Sequence, residues 1–416
     1  MGESYPSRSV CWASTYSWFS SANTRYFKSI ARRNMKVLFL IGSIGDYHTA
    51  RLNDAQRRLV QANVEFRVLV MNRKSSDYLH RDAGHSGCDA PASGWRYVAQ
   101  ERAQFKRPIL LARLFREIVR EKPDMIVTIG YNFPYSIVGL IYRWLARRTK
   151  IVFCADSKFD DGVRRPGREL LKARLACLYD GAIVAGRRQR QYFQFLGIPA
   201  ERIHVGYDVV DNSRFTTAAA AARVRPSELR AQMGLPERYI VCVSRLVARK
   251  RVDKVIDAYA RSRATAIGVS LLIIGAGELE ASLRERCERL GIARYVVFKG
   301  LVPNQDMPVY LSLANFMMLL SDYDQWGLCL NEALACGTPV LCSDGCGAAH
   351  ELVRHGENGF VTDGTDADID RGVAILLDDE KLSALRRNFP WNLDDWNLQR
   401  FSENVLNFVN GFSKCK

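Results

Sequence analysis

Short apolar runs and amphipathic stretches alternate along most of this chain. The first run, Lys36 to Ile41, is followed by a glycine-bearing turn and by a stretch, Ala50 to Asn63, whose apolar residues recur at helical spacing. Further strand-length runs, most of them beside a stretch of helical spacing, start at Phe66, Met125, Lys150, Tyr239, Ser270, Ala314 and Val340. Strands that alternate with helices in this way indicate the α/β class, in which helices cover a largely parallel sheet.

The alternation divides the chain into two halves. Residues 216–234 are rich in alanine and have no strand pattern, so we expect a linker that contains a short helix. A chain of 416 residues suits two domains of ordinary size. We place the first at residues 35–215 and the second at 235–395, with an amphipathic helix in 396–416. Residues 74–105 are polar and contain glycine, and they predict a long loop.

The first 34 residues stand apart from this pattern. They are rich in serine and arginine, and Glu3 is their only acidic residue. That composition is typical of an organelle transit peptide. We favour the simpler interpretation that the native protein starts at Met35, because MKVLFLIG is a common beginning of an α/β chain. Residues 1–34 are then an extension that is disordered or not native.

The most informative stretch runs from Ser321 to Val340 and reads SDYDQWGLCLNEALACGTPV. It predicts a turn at residues 324–327, a helix from Leu328 to Ala335, and a helix end at Gly337, followed by Pro339. The first N–H groups of a helix have no intrahelical acceptor and lie at the positive end of its dipole. The turn is therefore suited to binding an anion such as a phosphate.

Two carboxylates belong to this stretch. Asp324 lies in the turn, and Glu332 follows a little over two helical turns later. A carboxylate beside a phosphate-binding helix end is suited to sugar hydroxyls, and one deeper in the helix is suited to a ribose diol. The alternative interpretation is an ordinary crossover between two parallel strands, with acids on its surface.

Further candidates lie where predicted strands end, which is where α/β proteins bind ligands. In the first half these are the turn from Gly42 to Gly45 and the carboxylate of Asp156. The glycines let a backbone approach a phosphate or sugar closely, although the dinucleotide fingerprint is absent. Asp156 could instead cap the next helix. In the second half Arg245 and Lys250 can neutralise a diphosphate, unless they are only exposed cations.

The central stretch resembles the signature of the retaining glycosyltransferases of the GT-B fold, in the large family 4 group. The signature is matched in the order Ser321, Asp324, Trp326, Gly327, Leu328, Glu332, Gly337 and Pro339. Asp324 stands where the family usually has a first glutamate, and Asp156 stands near the point where many members have a histidine. The spacing of Arg245 and Lys250 matches the family's Arg-x-x-x-x-Lys pair. The resemblance is densest from Tyr239 to Val361.

This resemblance implies a fold and a reaction. Two Rossmann-like domains would face each other across a cleft, the first binding an acceptor and the second a nucleotide-sugar, with a C-terminal helix crossing back to the first domain. The sugar would be transferred with retention of its anomeric configuration, and the departing phosphate oxygen would take the acceptor's proton. Neither a metal nor another cofactor is expected.

The resemblance also implies a role for each candidate residue. The catalytic set is Arg245 and Lys250 on the diphosphate, Asp324 on the donor sugar, and Asp156 on the acceptor side. The donor-binding set is Glu332 at the ribose, Val302 at the base, Gly45 and Gly347 at close backbone approaches, and the backbone of Trp326, Gly327 and Leu328.

Composition adds a prediction about partners. The formal net charge is +16 and the isoelectric point is about 9.4, so an acidic partner is expected. The stretch after Asp156 is notably basic, which suits an anionic membrane surface and a glycan, glycolipid or lipid-linked acceptor. No apolar run is long enough to span a membrane, and the eleven cysteines include no Cys-x-x-Cys pair. We expect a cytoplasmic enzyme of cell-surface polysaccharide or lipopolysaccharide synthesis, able to associate with the cytoplasmic face of a membrane.

Two other function classes remain open. A nucleic-acid-binding protein would explain the positive charge, but the sequence has no recognised binding module, so we expect no nucleic-acid partner. A catalytically silent GT-B protein that binds a nucleotide or acts as a scaffold subunit is the alternative reading, because both Asp324 and Asp156 depart from the family's usual residues. Binding of uridine, guanosine or adenosine diphosphate would distinguish a nucleotide site from a nucleic-acid surface.

Overall fold

The computed structural model describes residues 35–72, 94–99, 107–387 and 392–414. The predicted extension at residues 1–34 and most of the predicted loop at 74–105 lie outside the described residues. The described chain forms two parallel sheets, each flanked by helices, and this confirms the predicted α/β class with two Rossmann-like units.

The first sheet has seven strands in the order β3-β2-β1-β4-β5-β6-β7, and every pairing is parallel. Its strands are β1 (Lys36–Ile41), β2 (Glu65–Asn72), β3 (Trp95–Ala99), β4 (Met125–Ile129), β5 (Lys150–Ala155), β6 (Gly181–Val184) and β7 (Ile203–Val205). Their helices are α1 (Asp46–Gln61), α2 (Arg107–Glu121), α3 (Pro134–Leu145), α4 (Pro166–Ala176) and α5 (Arg187–Phe195). Strands β1 and β4 are almost fully buried because helices cover both faces of the sheet.

Strand β3 corrects the sequence prediction, because Trp95–Ala99 falls in the region predicted as a loop. It is a five-residue edge strand that pairs only with β2 in the described sheet. Trp95 packs against the core through its ring and donates its indole N–H to Gln56 Oε1 at 3.1 Å. So short a run between polar segments has too few apolar positions to show a period.

The second sheet has six parallel strands in the order β10-β9-β8-β11-β12-β13. Its strands are β8 (Tyr239–Val243), β9 (Ser270–Ile274), β10 (Val296–Gly300), β11 (Met317–Leu319), β12 (Val340–Ser343) and β13 (Gly359–Thr362). Helices α8 (Val252–Arg261), α9 (Glu280–Arg289), α10 (Met307–Ser312), α11 (Leu328–Ala335), α12 (Ala349–Leu352), α13 (Asp366–Leu376) and α14 (Asp379–Arg387) accompany them. Helix α11 has the predicted bounds, and Gly337 after it adopts the expected positive φ of 67°.

The segment predicted as a linker is more ordered than expected. Helix α6 (Asn212–Val224) and helix α7 (Pro226–Met233) occupy most of it. Asp211 caps α6 by accepting a hydrogen bond from the Arg214 N–H at 3.0 Å. Thr216 donates to the carbonyl of Ala335 at 3.0 Å, so α6 is fixed to the end of α11. Alanine is a strong helix former, which explains why this alanine-rich stretch is helical.

The C-terminal helix α15 (Leu398–Lys414) packs on α1 of the first unit, as predicted. Phe401 lies 6.3 Å from Phe39 between ring centres, and Ser402 donates to Asp54 at 2.6 Å. Phe408 packs on Gly181 of β6, where a Cβ atom would lie only 2.4 Å from its ring. The helix therefore ties the end of the chain to the first sheet and helps to set the relation of the two units.

Candidate active site

The carboxyl ends of the two sheets face each other, and side chains join them directly. Gln189 of α5 donates to the Gln325 carbonyl at 2.5 Å, and the Arg187 N–H donates to Glu351 at 2.7 Å. Arg188 also pairs with Asp344 at 2.7 Å. In both sheets the chain order reverses beside the first strand, at β1/β4 and at β8/β11. Ligands of open α/β sheets bind outside the strands at such points.

A buried ion pair lies at the second unit's side of this cleft. Lys250, which ends a short 3₁₀ helix after β8, contacts the Asp324 carboxylate through its Nζ atom. The residues are 9% and 8% exposed, and Arg249 lies 3.9 Å from the same carboxylate. The structure thus brings together two residues that the sequence assigned to a diphosphate and to a sugar. Arg245 is exposed in the same loop.

Two glycines hold the loop after β8 against the loop after β9. A Cβ atom on Gly275 would lie 1.9 Å from the Ser244 carbonyl oxygen, and one on Gly277 would lie 2.3 Å from the Leu246 carbonyl oxygen. The Leu246 N–H donates to Ala276 O at 3.0 Å. Only glycine permits this approach, so the pair serves loop packing that supports Arg245 and Lys250 rather than a dinucleotide site.

The turn before α11 is held by the loop that follows β12. The Asp324 N–H donates to Gly345 O at 3.1 Å, and the Gly347 N–H donates to Asp324 O at 3.0 Å. A Cβ atom on Gly347 would lie 1.9 Å from the carbonyl oxygen of Gln325. The glycine at 347 is therefore required by contact between two protein loops. Its predicted approach to a ligand stays a prediction.

The side chain of Trp326 is structural. It is 2% exposed, donates its indole N–H to Asn331 at 2.9 Å, and packs on Trp396 with ring centres 4.8 Å apart. The side chain is thus occupied within the protein, and the predicted contact of the Trp326, Gly327 and Leu328 backbone with a ligand stays a prediction. Gly327 has a φ of 97°, a conformation that favours glycine, and so it turns the chain into the helix.

Glu332 is buried at 1% exposure in the first turns of α11. Tyr47, from the first turn of α1, donates its hydroxyl to Glu332 Oε1 at 2.5 Å, and Asn304 donates to the Tyr47 hydroxyl at 3.3 Å. Burial raises the pKa of Glu332 to about 7, against the lowering effects of Tyr47, Arg214 and Asn304. Val302, the predicted base contact, is buried two residues before Asn304.

Asp156 lies at the carboxyl end of β5, on the first unit's side. Burial, together with the negative charges of Asp208, Asp161 and Asp324, raises its pKa to about 7. Asp208 is buried and accepts a hydrogen bond from Arg51 at 2.9 Å. Burial raises the pKa of Asp208, Arg51 lowers it, and Asp324 raises it again. The charge of Asp324 therefore acts on both first-unit carboxylates from the second unit's side of the cleft.

Gly45 begins α1 at the carboxyl end of β1. Its N–H donates to His48 Nδ1 at 3.4 Å, and its carbonyl accepts from Thr49, so the turn is fixed by local bonds. His48 thus caps the helix, and its other ring nitrogen lies 3.5 Å from the Tyr207 hydroxyl. The predicted contact of Gly45 with a donor phosphate is not tested by this arrangement.

Sequence reasoning missed Tyr47, Arg51 and Asp208. Asp208 lies three residues after β7, and its position after a strand in a parallel sheet was a usable signal. Tyr47 and Arg51 carry no motif, because their importance comes from contacts with residues 285 and 157 positions away, respectively. The first contact joins the two units and the second joins distant parts of the first unit, so neither is visible in a local pattern.

The pKa of Glu332 predicts how stability depends on pH. The ordinary pKa of 4.5 rises to about 7 on folding. The contribution of Glu332 to the free energy of unfolding is therefore fully present below about pH 4.5, and it is lost as the pH rises through 7. Each pKa unit corresponds to about 1.4 kcal/mol, which shifts Tm by roughly 2–4 °C per kcal/mol in a mid-sized domain. The Tm of Glu332→Gln relative to the parent should therefore be higher at pH 8 than at pH 4.5.

Thermal melts of both proteins at the two pH values test this, with exposed Glu288→Gln as the matched control. The control should show the same difference from the parent at both pH values. A Glu332→Gln difference that does not change with pH would mean that folding does not raise the pKa of this carboxyl.

Acidic pairs that resemble metal motifs have cationic partners instead. Asp160 accepts from Lys158 at 2.5 Å, and Asp322 accepts from Arg251 at 3.0 Å. Asp161 pairs with Arg164. Within residues 35–72, 94–99, 107–387 and 392–414, no group of three or more His, Cys, Asp or Glu side chains is arranged to hold a metal ion. Metal independence stays a prediction.

Comparison with known proteins gives two family matches. The model described as "Glycosyl transferase 4-like domain" matches residues 48–207, and the model described as "Glycosyl transferases group 1" matches residues 227–389. The first match covers most of the first sheet, and the second covers the whole second sheet.

Similar proteins of known function have been described in bacteria. A mannosyltransferase of Mycolicibacterium smegmatis, named as GDP-mannose-dependent and specific for phosphatidylinositol monomannoside, is 26% identical over 77% of this chain and 86% of its own length. The equivalent Mycobacterium tuberculosis protein is 30% identical over 49% of this chain, and the match spans 54% of its own length.

A solved structure shows the same fold. HepE of Anabaena, in complex with UDP and glucose, superposes with a TM-score of 0.71 at 20% identity, covering 91% of this chain and all of the other. The structural match covers nearly all of this chain, and each family model matches the region of one of its two sheets. This chain belongs to the GT-B glycosyltransferases of the group 1, family 4 type.

Proposed function

We propose that this protein transfers a sugar from a nucleotide-diphosphate donor to a glycan, glycolipid or lipid-linked acceptor, with retention of anomeric configuration. The observation that carries the proposal is the cleft between two parallel sheets, where the second unit holds the buried Lys250–Asp324 pair and Tyr47 of the first unit bonds to Glu332, with Asp156 and Asp208 after strands of the first sheet. Cations and carboxylates from both units are thus present where a donor and an acceptor would meet.

On the donor side, the contact between Lys250 and Asp324 defines where the bond to be broken would lie. A lysine suits the leaving diphosphate, a carboxylate suits the sugar hydroxyls, and the two groups touch. The anomeric carbon, which joins sugar to diphosphate, would therefore sit beside this pair. Arg245 would add a second cation on the diphosphate, and stabilisation of the developing charge is commonly the largest contribution to such catalysis.

The ribose would bind at Glu332, which accepts a hydrogen bond from Tyr47 in this structure. Two hydroxyls of a ribose could replace the single hydroxyl of Tyr47 on this carboxylate. Ligand binding would then require α1 to release Glu332, which couples donor binding to the relative position of the two units. The backbone of Leu301 and Val302, before Asn304, would contact the base.

On the acceptor side, Asp156 would orient the acceptor hydroxyl. Its pKa of about 7 means that both protonation states are present near neutral pH, so this carboxyl can accept a hydrogen bond from the acceptor hydroxyl or donate one to it. In the proposed retaining reaction the departing phosphate oxygen takes the acceptor's proton on the face from which the phosphate leaves. Asp156 and Asp208 then hold the acceptor and the oxocarbenium-like sugar without forming a bond to it.

The known relatives support this class of donor and acceptor. The M. smegmatis relative is named for transfer from GDP-mannose to a phosphoinositide glycolipid, and HepE was solved with UDP and glucose. A separate solved neighbour is a lipopolysaccharide glycosyltransferase, WaaG. We extend the proposal to synthesis of cell-surface polysaccharide or lipopolysaccharide on a membrane-linked acceptor.

The basic stretch after Asp156 supports contact with an anionic membrane surface. Five basic residues lie from Arg164 to Arg174 in this stretch, and two of them, Arg164 and Lys172, pair with carboxylates. Arg165, Arg168 and Arg174 are exposed. Each exposed cation near an anionic surface contributes about 1 kcal/mol of attraction, which salt screens. No helix among the described residues is both long and apolar enough to cross a bilayer.

The proposed function is tested by ligand binding and donor turnover. Thermal melts with uridine, guanosine and adenosine diphosphates should show stabilisation by one of them in preference to the others. Release of that diphosphate from its sugar conjugates then identifies the donor. Stabilisation without turnover of any sugar conjugate or any transfer would favour the catalytically silent alternative. No stabilisation by any of the three would reject the nucleotide site.

A chelator should leave donor turnover nearly unchanged. Lys250, Arg245 and the first N–H groups of α11 already supply positive charge to the diphosphate. The check is the initial rate with and without EDTA, followed by addition of Mg²⁺ or Mn²⁺. A rate that disappears with EDTA and returns with either ion would assign the charge relief to a metal.

A further inference from the structure

An apolar groove of about 460 Å³ lies between α4 and α5. Its lining residues are Phe159, Arg164, Pro166, Glu169, Leu170, Ala173, Phe195 and Leu196. Phe159 and Phe195 face each other with ring centres 5.1 Å apart, and they are 43% and 62% exposed. A volume of this size lies within the range of small-molecule sites, and such sites are mostly apolar.

The polar groups of the groove are already bonded within the protein. Arg164 donates to Phe159 O at 2.8 Å and to the Tyr192 hydroxyl at 3.1 Å, and it pairs with Asp161. Glu169 accepts from Tyr192 at 2.6 Å and from Lys172 at 2.8 Å. What remains available to a ligand is hydrocarbon and ring surface.

The groove begins next to the acceptor side of the cleft. Phe159 lies three residues beyond Asp156 in the loop that leaves β5. Asp161, which acts on the pKa of Asp156, is held by Arg164 of the groove wall. Asp156 and the groove are therefore linked by one short loop and by the Asp161–Arg164 pair within it.

The surface around the groove combines apolar and basic residues. Leu171 and Val163 are 68% and 87% exposed beside it. Arg165 and Arg168, at the start of α4 next to Pro166, are exposed too. An apolar groove rimmed by cations is complementary to a hydrocarbon chain that carries an anionic headgroup, and a soluble glycan would use neither feature.

We propose that this groove, which we call the α4/α5 groove, binds the hydrocarbon chain of the acceptor lipid, while the acceptor's reacting hydroxyl lies at Asp156. The inference rests on the proposed function, and it names the acceptor as a lipid with an anionic group between chain and sugar. The chain enters beside Phe159 and lies between Phe195 and Ala173. Arg165 and Arg168 attract the anionic group.

Alkyl phosphates test the groove without knowledge of the natural acceptor. Dodecyl phosphate, kept below its micelle concentration, should bind at least tenfold more tightly than butyl phosphate in calorimetric titrations, because each buried methylene favours binding. Ala173→Phe should fill the groove and weaken dodecyl phosphate at least tenfold. The matched control, Leu171→Gln, removes exposed apolar surface outside the groove and should leave the affinity unchanged.

Three outcomes overturn the proposal. The first is equal affinity for dodecyl and butyl phosphate, and the second is parent-like binding of dodecyl phosphate by Ala173→Phe. The third is equal weakening of binding by Leu171→Gln and Ala173→Phe, because that result would indicate adsorption to surface leucines. If Ala173→Phe does not fold, Phe195→Ser replaces it with the same expectation. Nucleoside diphosphate stabilisation of Ala173→Phe should match the parent. If nucleoside diphosphates stabilise neither protein, the proposed function is rejected. The titrations with alkyl phosphates test the groove independently of that result.

Discussion

Replacing Arg245 with alanine should reduce donor turnover by about a hundredfold or more and leave the unfolding temperature unchanged. Loss of one preorganised electrostatic contact to a developing charge commonly has an effect of this size. Arg245 is exposed, so its removal leaves no buried group without a partner. Initial rates of diphosphate release and thermal melts of the same preparations measure the two quantities.

The matched control is Arg289→Ala. Arg289 is exposed at the last turn of α9, away from the carboxyl edge of the sheet, and it has the same charge. Its substitution should change neither rate nor melting temperature. Full turnover in Arg245→Ala would remove this residue from the diphosphate site, and an equal loss in both variants would indicate only a dependence on net charge.

Breaking the Lys250–Asp324 pair on either side should destabilise the fold by about 3–5 kcal/mol, because one buried charge then loses its partner. Lys250→Met and Asp324→Leu are the single variants, and the two together place apolar groups of similar size in contact. The double variant should recover most of the lost stability, and all three variants should lose turnover by at least the factor expected for Arg245→Ala.

Urea unfolding of the parent and three variants gives the free energies, and a double-mutant cycle isolates the interaction of the pair. Recovery of stability without recovery of turnover separates the catalytic role from the structural one. Single variants as stable as the parent would show that the buried pair contributes nothing. A double variant with parent-like turnover would place the leaving diphosphate elsewhere.

Some elements of this fold could be predicted because their signals are local. The bounds of α11 follow from eight consecutive residues, a glycine after them and a proline two positions further. Strand β1 is equally clear, since Lys36–Ile41 is a continuous apolar run next to a turn. The match of Glu332, and of Asp324 at the position of the usual glutamate, to a known signature depends on the same kind of short-range order.

Other features could not be predicted because they arise only when distant segments meet. Tyr47 and Glu332 are 285 positions apart, and nothing near Tyr47 indicates that its hydroxyl reaches α11. The pKa of Asp156 depends on Asp161 of its own loop and on Asp208 and Asp324 from two distant loops. For Gly347 the sequence identified the need for a small residue but not its cause, which is the Gln325 carbonyl of a neighbouring loop.

The basic stretch has more cations in its sequence than it leaves unpaired on the protein surface. From the sequence, the five cations from Arg164 to Arg174 form one positive surface. In the structure Arg164 and Lys172 bond to Asp161 and Glu169, because carboxylates of the same segment fold back against them. The stretch therefore builds the wall of the α4/α5 groove with part of its charge and exposes the remainder.

Proton NMR of the sugar released from a nucleotide-sugar donor tests directly whether the protein transfers a glycosyl group with retention of its anomeric configuration. With an α-linked donor in the presence of EDTA, the account predicts that the first sugar released, or the first glycoside formed, has the α configuration, and that Arg245→Ala releases almost none. Initial appearance of the β-anomer would contradict retention. No release from any donor whose nucleoside diphosphate stabilises the protein would contradict glycosyl transfer itself.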